Sequence, residues 1–236
     1  MSDVGDVISA ENARWSFGGD VADAFDRHVR RSVPLYEQGH ALVAALSDFF
    51  LADGSVCYEL GCATGQLTRH IAQRHAGRPM RFVAVDNEAR MCARAREVNR
   101  ADPRVGVLHD DIIGMQMEPA DLIVAYYTVQ FVRPRVRQQL LEQIYHALNW
   151  GGAFIMFEKV RGPDARFQDI LSALYVDHKL DQGYNGAEIV AKSRSLKGVL
   201  EPFSTDGNIG LLRRAGFVDI TTVMKYICFE GFLAIK

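Results

Sequence analysis

The chain has 236 residues, 48% apolar and 24% charged, a balance that fits a large α/β domain and excludes a disordered or fibrous protein. Its formal charge of −2 lacks the basic excess of a protein held by nucleic-acid phosphates, so the expected partner is a small molecule rather than a nucleic acid. Cys57, Cys62, Cys92 and Cys228 form neither a C-x-x-C pair nor a zinc-spaced Cys/His set. No metal is therefore expected, and the thiols read as small apolar residues of a cytoplasmic protein.

The opening residues are acidic and lack the layout of a signal peptide. The first 35 residues carry no strong periodicity and read as an appended arm. The most apolar helical stretch, Ala41 to Ala52, is interrupted by Ser47 and Asp48 and is too short to span a bilayer, so no membrane association is expected. From residue 55 apolar runs alternate with helical ones. Ser55–Leu60 is a predicted strand and Gly65–Ala76 a helix; Arg81–Asp86 is the next strand, followed by a helix from Glu88 to about Arg100. Val105–Leu108 and Asp121–Tyr126 are further strands, then come the helix Pro134–Leu148, the turn Trp150-Gly151-Gly152 and the strand Ala153–Phe157. Near-continuous apolar strands separated by helices predict a parallel sheet covered on both faces. Residues 164–200 read as helices broken at Gly183, Thr205–Ala215 as another helix, and Phe217–Tyr226 with Cys228–Ile235 as a terminal hairpin.

The strongest chemical signal is Tyr58-Glu59-Leu60-Gly61-Cys62-Ala63-Thr64-Gly65 at the end of the first predicted strand, where open α/β sheets bind ligands. A dinucleotide loop needs G-x-G-x-x-G, but the matching positions are Gly61, Ala63 and Gln66, and the glycine that lets helix and strand pack closely is missing. An acidic residue ahead of Gly61 and Gly65 fits instead the loop that binds S-adenosylmethionine (SAM). Asp86 ends the second strand, where a carboxylate can accept both ribose hydroxyls. Asn87 follows it, and Met91 stands early in the next helix. Asp111 and Ile112 follow the third strand, placed for the adenine amino group and ring, and Tyr126-Tyr127-Thr128 ends the fourth. Any one of these is ordinary; together, at four consecutive strand ends, they predict a SAM site. Glu158, ending the fifth strand, is the candidate to orient a substrate or accept a proton, with Tyr126 and His178 as further catalytic candidates. Tyr127, Tyr175, Tyr184 and Arg194 are candidate acceptor contacts.

These residues resemble the class I SAM-dependent methyltransferases and, more narrowly, the carboxy-SAM synthase family, whose product serves tRNA wobble-uridine carboxymethylation. The resemblance runs from about Trp15 to the C-terminus. Its specific parts include Trp15-Ser16-Phe17, Arg31-Ser32-Val33-Pro34-Leu35-Tyr36, Glu59-Leu60-Gly61-Cys62, Thr128-Val129-Gln130-Phe131, Glu158-Lys159, Gly183-Tyr184 and Ala215-Gly216-Phe217. It implies a Rossmann-like α/β fold: a mostly parallel seven-stranded sheet with a C-terminal antiparallel hairpin and a helical lid. It also implies a homodimer, and Tyr36, Gly61, Asp86, Asn87, Asp111 and Ile112 around the cofactor. Residues 1–236 would then be one SAM-binding domain, with 1–40 as its arm and 160–205 as the lid that selects the acceptor.

Two positions depart from the family pattern. Where the family has Asn before the Thr128-Val129-Gln130-Phe131 region, this chain has Tyr126. The family arginine that grips an extra carboxylate aligns with Ser193, while Arg194 lies one residue on, about 100° round a helix. Serine cannot replace a bidentate guanidinium fork. Methyl transfer from ordinary SAM to a small acceptor is therefore the leading expectation. The alternatives are carboxy-SAM synthesis from SAM and prephenate, using Arg194 and Tyr126 in altered geometry, and SAM binding without catalysis. A nicotinamide-dependent oxidoreductase is disfavoured by the missing glycine.

Overall fold

Seven strands form the central sheet of the computed structural model, which describes residues 2–6, 8–18 and 21–236. After a two-stranded ribbon, β1 (Ser2–Asp3) and β2 (Ser9–Ala10), come helices α1 (Val21–Ser32) and α2 (Tyr36–Ser47). Then follow β3 (Val56–Leu60), α3 (Gln66–Arg74), β4 (Arg81–Asp86), α4 (Ala89–Asn99), β5 (Val105–His109) and β6 (Ala120–Tyr126). A 3₁₀ turn (Val129–Phe131) leads to α5 (Pro134–Ala147), β7 (Leu148–Lys159), α6 (Ala165–Asp181), α7 (Gly186–Ser195), α8 (Thr205–Ala215), β8 (Asp219–Tyr226) and β9 (Phe229–Ile235). The sheet order is β5-β4-β3-β6-β7-β9-β8, with β3 to β7 parallel and β9 antiparallel to both β7 and β8. The expected mostly parallel, seven-stranded sheet with a terminal hairpin is present.

Alternation along each strand assigns two cores. Tyr58, Leu60, Ile123, Ala125, Phe154 and Met156 face α5 and α8 through Leu140, Leu141, Ile144, Leu211 and Leu212. Cys57, Leu122, Val124, Ile155 and Phe157 face α2 and α3 through Val43, Leu67 and Ile71. The chain leaves β3 for β4 on one side and later starts β6 on the other. The crevice at the carboxyl ends of β3 and β6 is thus the switch point where such sheets hold ligands.

Two local expectations are corrected. The stretch read as an arm contains α1, whose buried residues Val21, Ala22 and His28 pack with Val4, Ile8 and Trp15. The strand expected to start at Ala153 begins at Leu148, directly after α5. Trp150–Gly152 lie inside an irregular strand in which Gly151 adopts φ +80°, its N–H donates to the Lys236 carbonyl, and Lys236 N–H donates to that of Gly152. No helix among the described residues is long and apolar enough to cross a membrane.

Candidate functional site

The loop after β3 is shaped by conformations that glycine favours. Gly61 has φ +76°, and a Cβ there would collide with the Thr128 side chain, so the loop lies directly against the end of β6. The Gly61 and Cys62 N–H groups both donate to the Val85 carbonyl, at 2.8 and 2.9 Å. Gly65, at φ +75°, caps α3, and a Cβ there would press on Asn99 and Ala95 of α4. Thr64 Oγ1 and Gln66 Nε2 donate to the Asp26 carboxylate at 2.6 and 3.2 Å, tying the loop to α1. Asp26 carries no sequence signal of its own, because α1 itself is hard to read.

Every residue assigned to the cofactor from sequence lines one cavity of about 600 Å³ at this switch point. Asp86 is buried at the end of β4. It accepts the Ala63 N–H (2.8 Å) and the Glu88 N–H (2.9 Å), so backbone donors fix the carboxylate beside the loop. Burial nevertheless holds its pKa above the usual carboxylate range. Asp111 accepts the Ile113 N–H at 2.9 Å while Ile112 is buried beside it. Glu59 accepts the Thr68 N–H at 2.8 Å and the Thr68 hydroxyl, anchoring the first turn of α3; burial pushes its carboxyl up to about 8. A positive-φ loop, an oriented acid at the end of β4 and a carboxylate–isoleucine pair after β5 together fit an adenosyl group. Asp86 would hold the ribose hydroxyls, and Asp111 with Ile112 the base.

Beside this half stands an aromatic wall. The Tyr126 hydroxyl donates to the Tyr36 carbonyl at 2.7 Å, and the Tyr126 ring lies 5.2 Å from Tyr36, 4.8 Å from Tyr127 and 4.7 Å from Phe157. Gly39 of α2 makes room for that phenol, since a Cβ there would overlap the Tyr126 hydroxyl. Burial pushes the Tyr36, Tyr126 and Tyr127 phenols well above their usual range, so they act as hydrogen-bond donors and not as bases. Tyr175 of α6 completes the wall, its ring 5.2 Å from Phe229 and its hydroxyl donating to the Ser32 carbonyl at 2.8 Å.

A methyltransferase domain model matches residues 58–152. The carboxy-S-adenosyl-L-methionine synthase of Staphylococcus epidermidis is 33% identical over 228 residues, 94% of this chain and 97% of that one. Its counterpart in Campylobacter lari is 34% identical, over 94% of this chain and 95% of that one. The chain belongs to the carboxy-S-adenosyl-L-methionine synthase family. Like the other members of this methyltransferase group, it is a SAM-dependent transferase. Solved structures agree in fold. Human N-acetylserotonin methyltransferase in complex with SAM aligns over 91% of this chain with a TM-score of 0.61 at 19% identity. An O-methyltransferase family protein from Burkholderia thailandensis aligns over 91% with a TM-score of 0.65 at 16% identity. This chain spans only 55% and 59% of those two.

Against this family frame, several candidate contacts fall elsewhere. Tyr126, Tyr127 and Tyr175 line the cavity, but Glu158, His178, Tyr184 and Arg194 do not. Glu158 is 1% exposed and turns inward at the end of β7, where its Oε1 is buried without a hydrogen-bond partner. Burial raises its pKa well above the usual range; side chains alternate along β7, and Lys159 takes the cavity side instead. His178 lies behind Tyr175, stacked on it at 6.3 Å, with its Nε2 buried and unpartnered. Tyr184 donates to Asp6 Oδ2 at 2.6 Å and carries Arg31 over its ring at 4.3 Å, joining the N-terminal arm to α1. Arg194 and Ser193 are both exposed; from α7 and its cap, Lys192 and Leu196 enter the cavity. Trp15, Phe17, His28, His40 and Lys159 are cavity residues that sequence reading did not assign, whereas Lys192 belongs to the segment expected to select the acceptor. Only Trp15-Ser16-Phe17 and Glu158-Lys159 carried a signal, as parts of the family resemblance.

Proposed function

We propose that the protein transfers the methyl group of SAM to a small organic acceptor lying against Tyr127, Tyr175 and Phe229. The observation that carries this reading is the Tyr126–Gly39 pair together with the outward placement of Ser193 and Arg194. A phenol fills the space beside Tyr36, and α7 supplies no guanidinium fork for an additional carboxylate on the cofactor. SAM supplies an already activated methyl on a sulfonium, so the protein's task is alignment and exclusion of water. The electron-rich faces of Tyr36, Tyr126 and Tyr127 suit a sulfonium cation. A base is needed only where the acceptor nucleophile starts protonated.

Residues 1–236 act in this reading as one SAM-binding domain, with the α6–α7 segment selecting the acceptor. Four buried free thiols support a cytoplasmic setting. The exposed row Phe167, Ile170 and Leu174 on α6 supports a homodimer joined through that face. Full-length identity of 33–34% to the synthases favours a second reading, the formation of carboxy-SAM from SAM and prephenate. Incubation with methyl-labelled SAM and an acceptor panel tests the two. Label in an acceptor supports methyl transfer, whereas carboxy-SAM formed from SAM and prephenate, identified by mass spectrometry, overturns it. Tight SAM binding with neither product would leave a non-catalytic SAM-binding protein.

A further inference from the structure

The connection from β6 to α5 carries a strained aromatic residue. Tyr127 directly follows β6 with φ +60°, in the left-handed region that a bulky side chain rarely adopts. Strain of this kind persists only where the surroundings over-determine it. Both main-chain groups of Tyr127 are tied: its N–H donates to the Phe157 carbonyl at 2.8 Å, and its carbonyl accepts from Gln130 Nε2 at 3.1 Å. The next residue, Thr128, donates its hydroxyl to the Leu60 carbonyl at 2.8 Å, and a Cβ on Gly61 would collide with its side chain. This connection therefore fixes the two halves of the cavity to each other.

Gln130 is itself held from outside the cavity. Its Oε1 accepts the Lys159 N–H at 2.8 Å, and its carbonyl accepts the Glu201 N–H at 3.1 Å. The same carbonyl accepts Arg137 Nη2 at 3.0 Å, while Arg137 Nε donates to the Val132 carbonyl at 2.8 Å. A planar guanidinium thus spans the 3₁₀ turn, its Cζ 4.5 Å from the centroid of the Phe203 ring. Tyr127, Thr128, Gln130, Phe131 and Val132 line the cavity, but Arg137 does not. Arg137 is 1% exposed and stands at the N-terminal turn of α5, where the helix dipole disfavours a cation and burial of its charge is costly. Its hydrogen bonds go to main-chain carbonyls rather than to Glu158 or Glu201, the carboxylates whose charge reaches it. Neither a surface ion pair nor a ligand contact accounts for this arginine; shaping the turn does.

We propose that Arg137 is a positioning residue: by bridging the Gln130 and Val132 carbonyls it holds Gln130 against Tyr127, imposes the left-handed backbone there, and so keeps the two sides of the cavity aligned for transfer. This rests on the reading of the cavity as the transfer site of a SAM-dependent enzyme. Such transfer depends on alignment, and a displacement of about 1 Å costs about a hundredfold in rate. Lysine would keep the charge but has no rigid fork to reach both carbonyls.

Thermal denaturation reads the clamp itself. With the ring removed in both proteins, Tyr127→Gly should melt about 2–4 °C above Tyr127→Ala, because only alanine is penalised at φ +60°. In an Arg137→Lys background that difference should vanish. Turnover reads what the clamp is for, with methyl-labelled SAM and a panel of small acceptors, and with SAM and prephenate. For whichever reaction the unmodified protein runs, Arg137→Lys should lower kcat by about tenfold or more, while KM for SAM and the calorimetric affinity for S-adenosylhomocysteine (SAH) stay within a few-fold. Phe203→Leu removes the ring beside the guanidinium and leaves the turn's own residues intact. It should move the same readouts in the same direction by less, and it decides the matter if Arg137→Lys does not fold. Tyr127→Ala at least as stable as Tyr127→Gly, a difference between them that survives Arg137→Lys, an unchanged kcat, or SAH affinity that falls in step with kcat would each overturn the proposal. If neither reaction yields product, the comparison of Tyr127→Gly with Tyr127→Ala in the two backgrounds still decides. Failure of SAH to bind the unmodified protein would count against the SAM reading and leaves that comparison unaffected.

Discussion

Replacing Gly39 with alanine would place a methyl over the Tyr126 hydroxyl, 3.0 Å from Cζ and 3.2 Å from Cε2 of the same ring. Gly39 lies within α2, where alanine would otherwise favour the helix by about 0.8–1 kcal/mol. Overpacking a filled core costs about 1–3 kcal/mol, so the net effect in the wild-type background is a loss of up to about 2 kcal/mol. In a Tyr126→Asn background the phenol is gone, and the same substitution should stabilise by about 1 kcal/mol. The coupling between the two sites is therefore about 1–3 kcal/mol, measured by urea denaturation of the four proteins of the double-mutant cycle. If Gly39→Ala changes stability equally in both backgrounds, to within about 0.5 kcal/mol, the two residues are not mutually fitted and Tyr126 does not define that wall.

Three further outcomes follow from other parts of the site. Glu158→Gln should keep turnover within a few-fold, because the carboxyl is buried away from the cavity; a hundredfold loss would restore it as a general base. Its raised pKa favours the folded state below about pH 4.5, an advantage lost as pH rises, so Glu158→Gln should gain stability relative to wild type toward high pH. Asp6 is taken down to about 2, since hydrogen bonds from Tyr184, His28 and Arg31 outweigh the opposing effect of burial. A depressed carboxylate contributes stability above its unfolded pKa, here up to about 2 kcal/mol, which is lost as pH falls from about 4 toward 2. Asp6→Asn should flatten that part of the pH–stability curve, and an unchanged acid limb would show that the arm is not held this way. Gly61→Ala, at φ +76° and against Thr128, should lower both Tm and SAH affinity, read by thermal denaturation with and without SAH.

The cofactor half of the cavity was legible because each of its parts is local. A strand, a glycine at a turn and an acid at a strand end are contiguous in the chain, as at Gly61 and Asp86. The acceptor half was legible only in part: Tyr127 and Tyr175 stand at a strand end and in the expected lid, whereas Trp15 and Lys159 come from separated segments that only the fold brings together. α1 escaped notice because its buried stripe runs through a strongly charged helix and includes His28. Glu158 and Lys159 could not be told apart by hydropathy, since β7 is covered on both faces and only strand parity decides which side chain meets the cavity. At α7, numbering correctly separated Ser193 from Arg194 by about 100°, but it could not show that both face solvent while Lys192 turns inward. Tyr126 was singled out as a departure, yet the glycine that accommodates it lies far away in sequence.

Calorimetric titration of SAH into wild-type and Asp86→Ala protein probes the adenosyl site most directly, with circular dichroism confirming that both are folded. Wild type should bind one equivalent, and loss of charge-assisted hydrogen bonds to the ribose, worth about 1.5–3 kcal/mol each, should weaken the variant by tenfold or more. No heat with the wild-type protein, or equal affinity in the two, would contradict a SAM site built on the Gly61 loop and the Asp86 carboxylate.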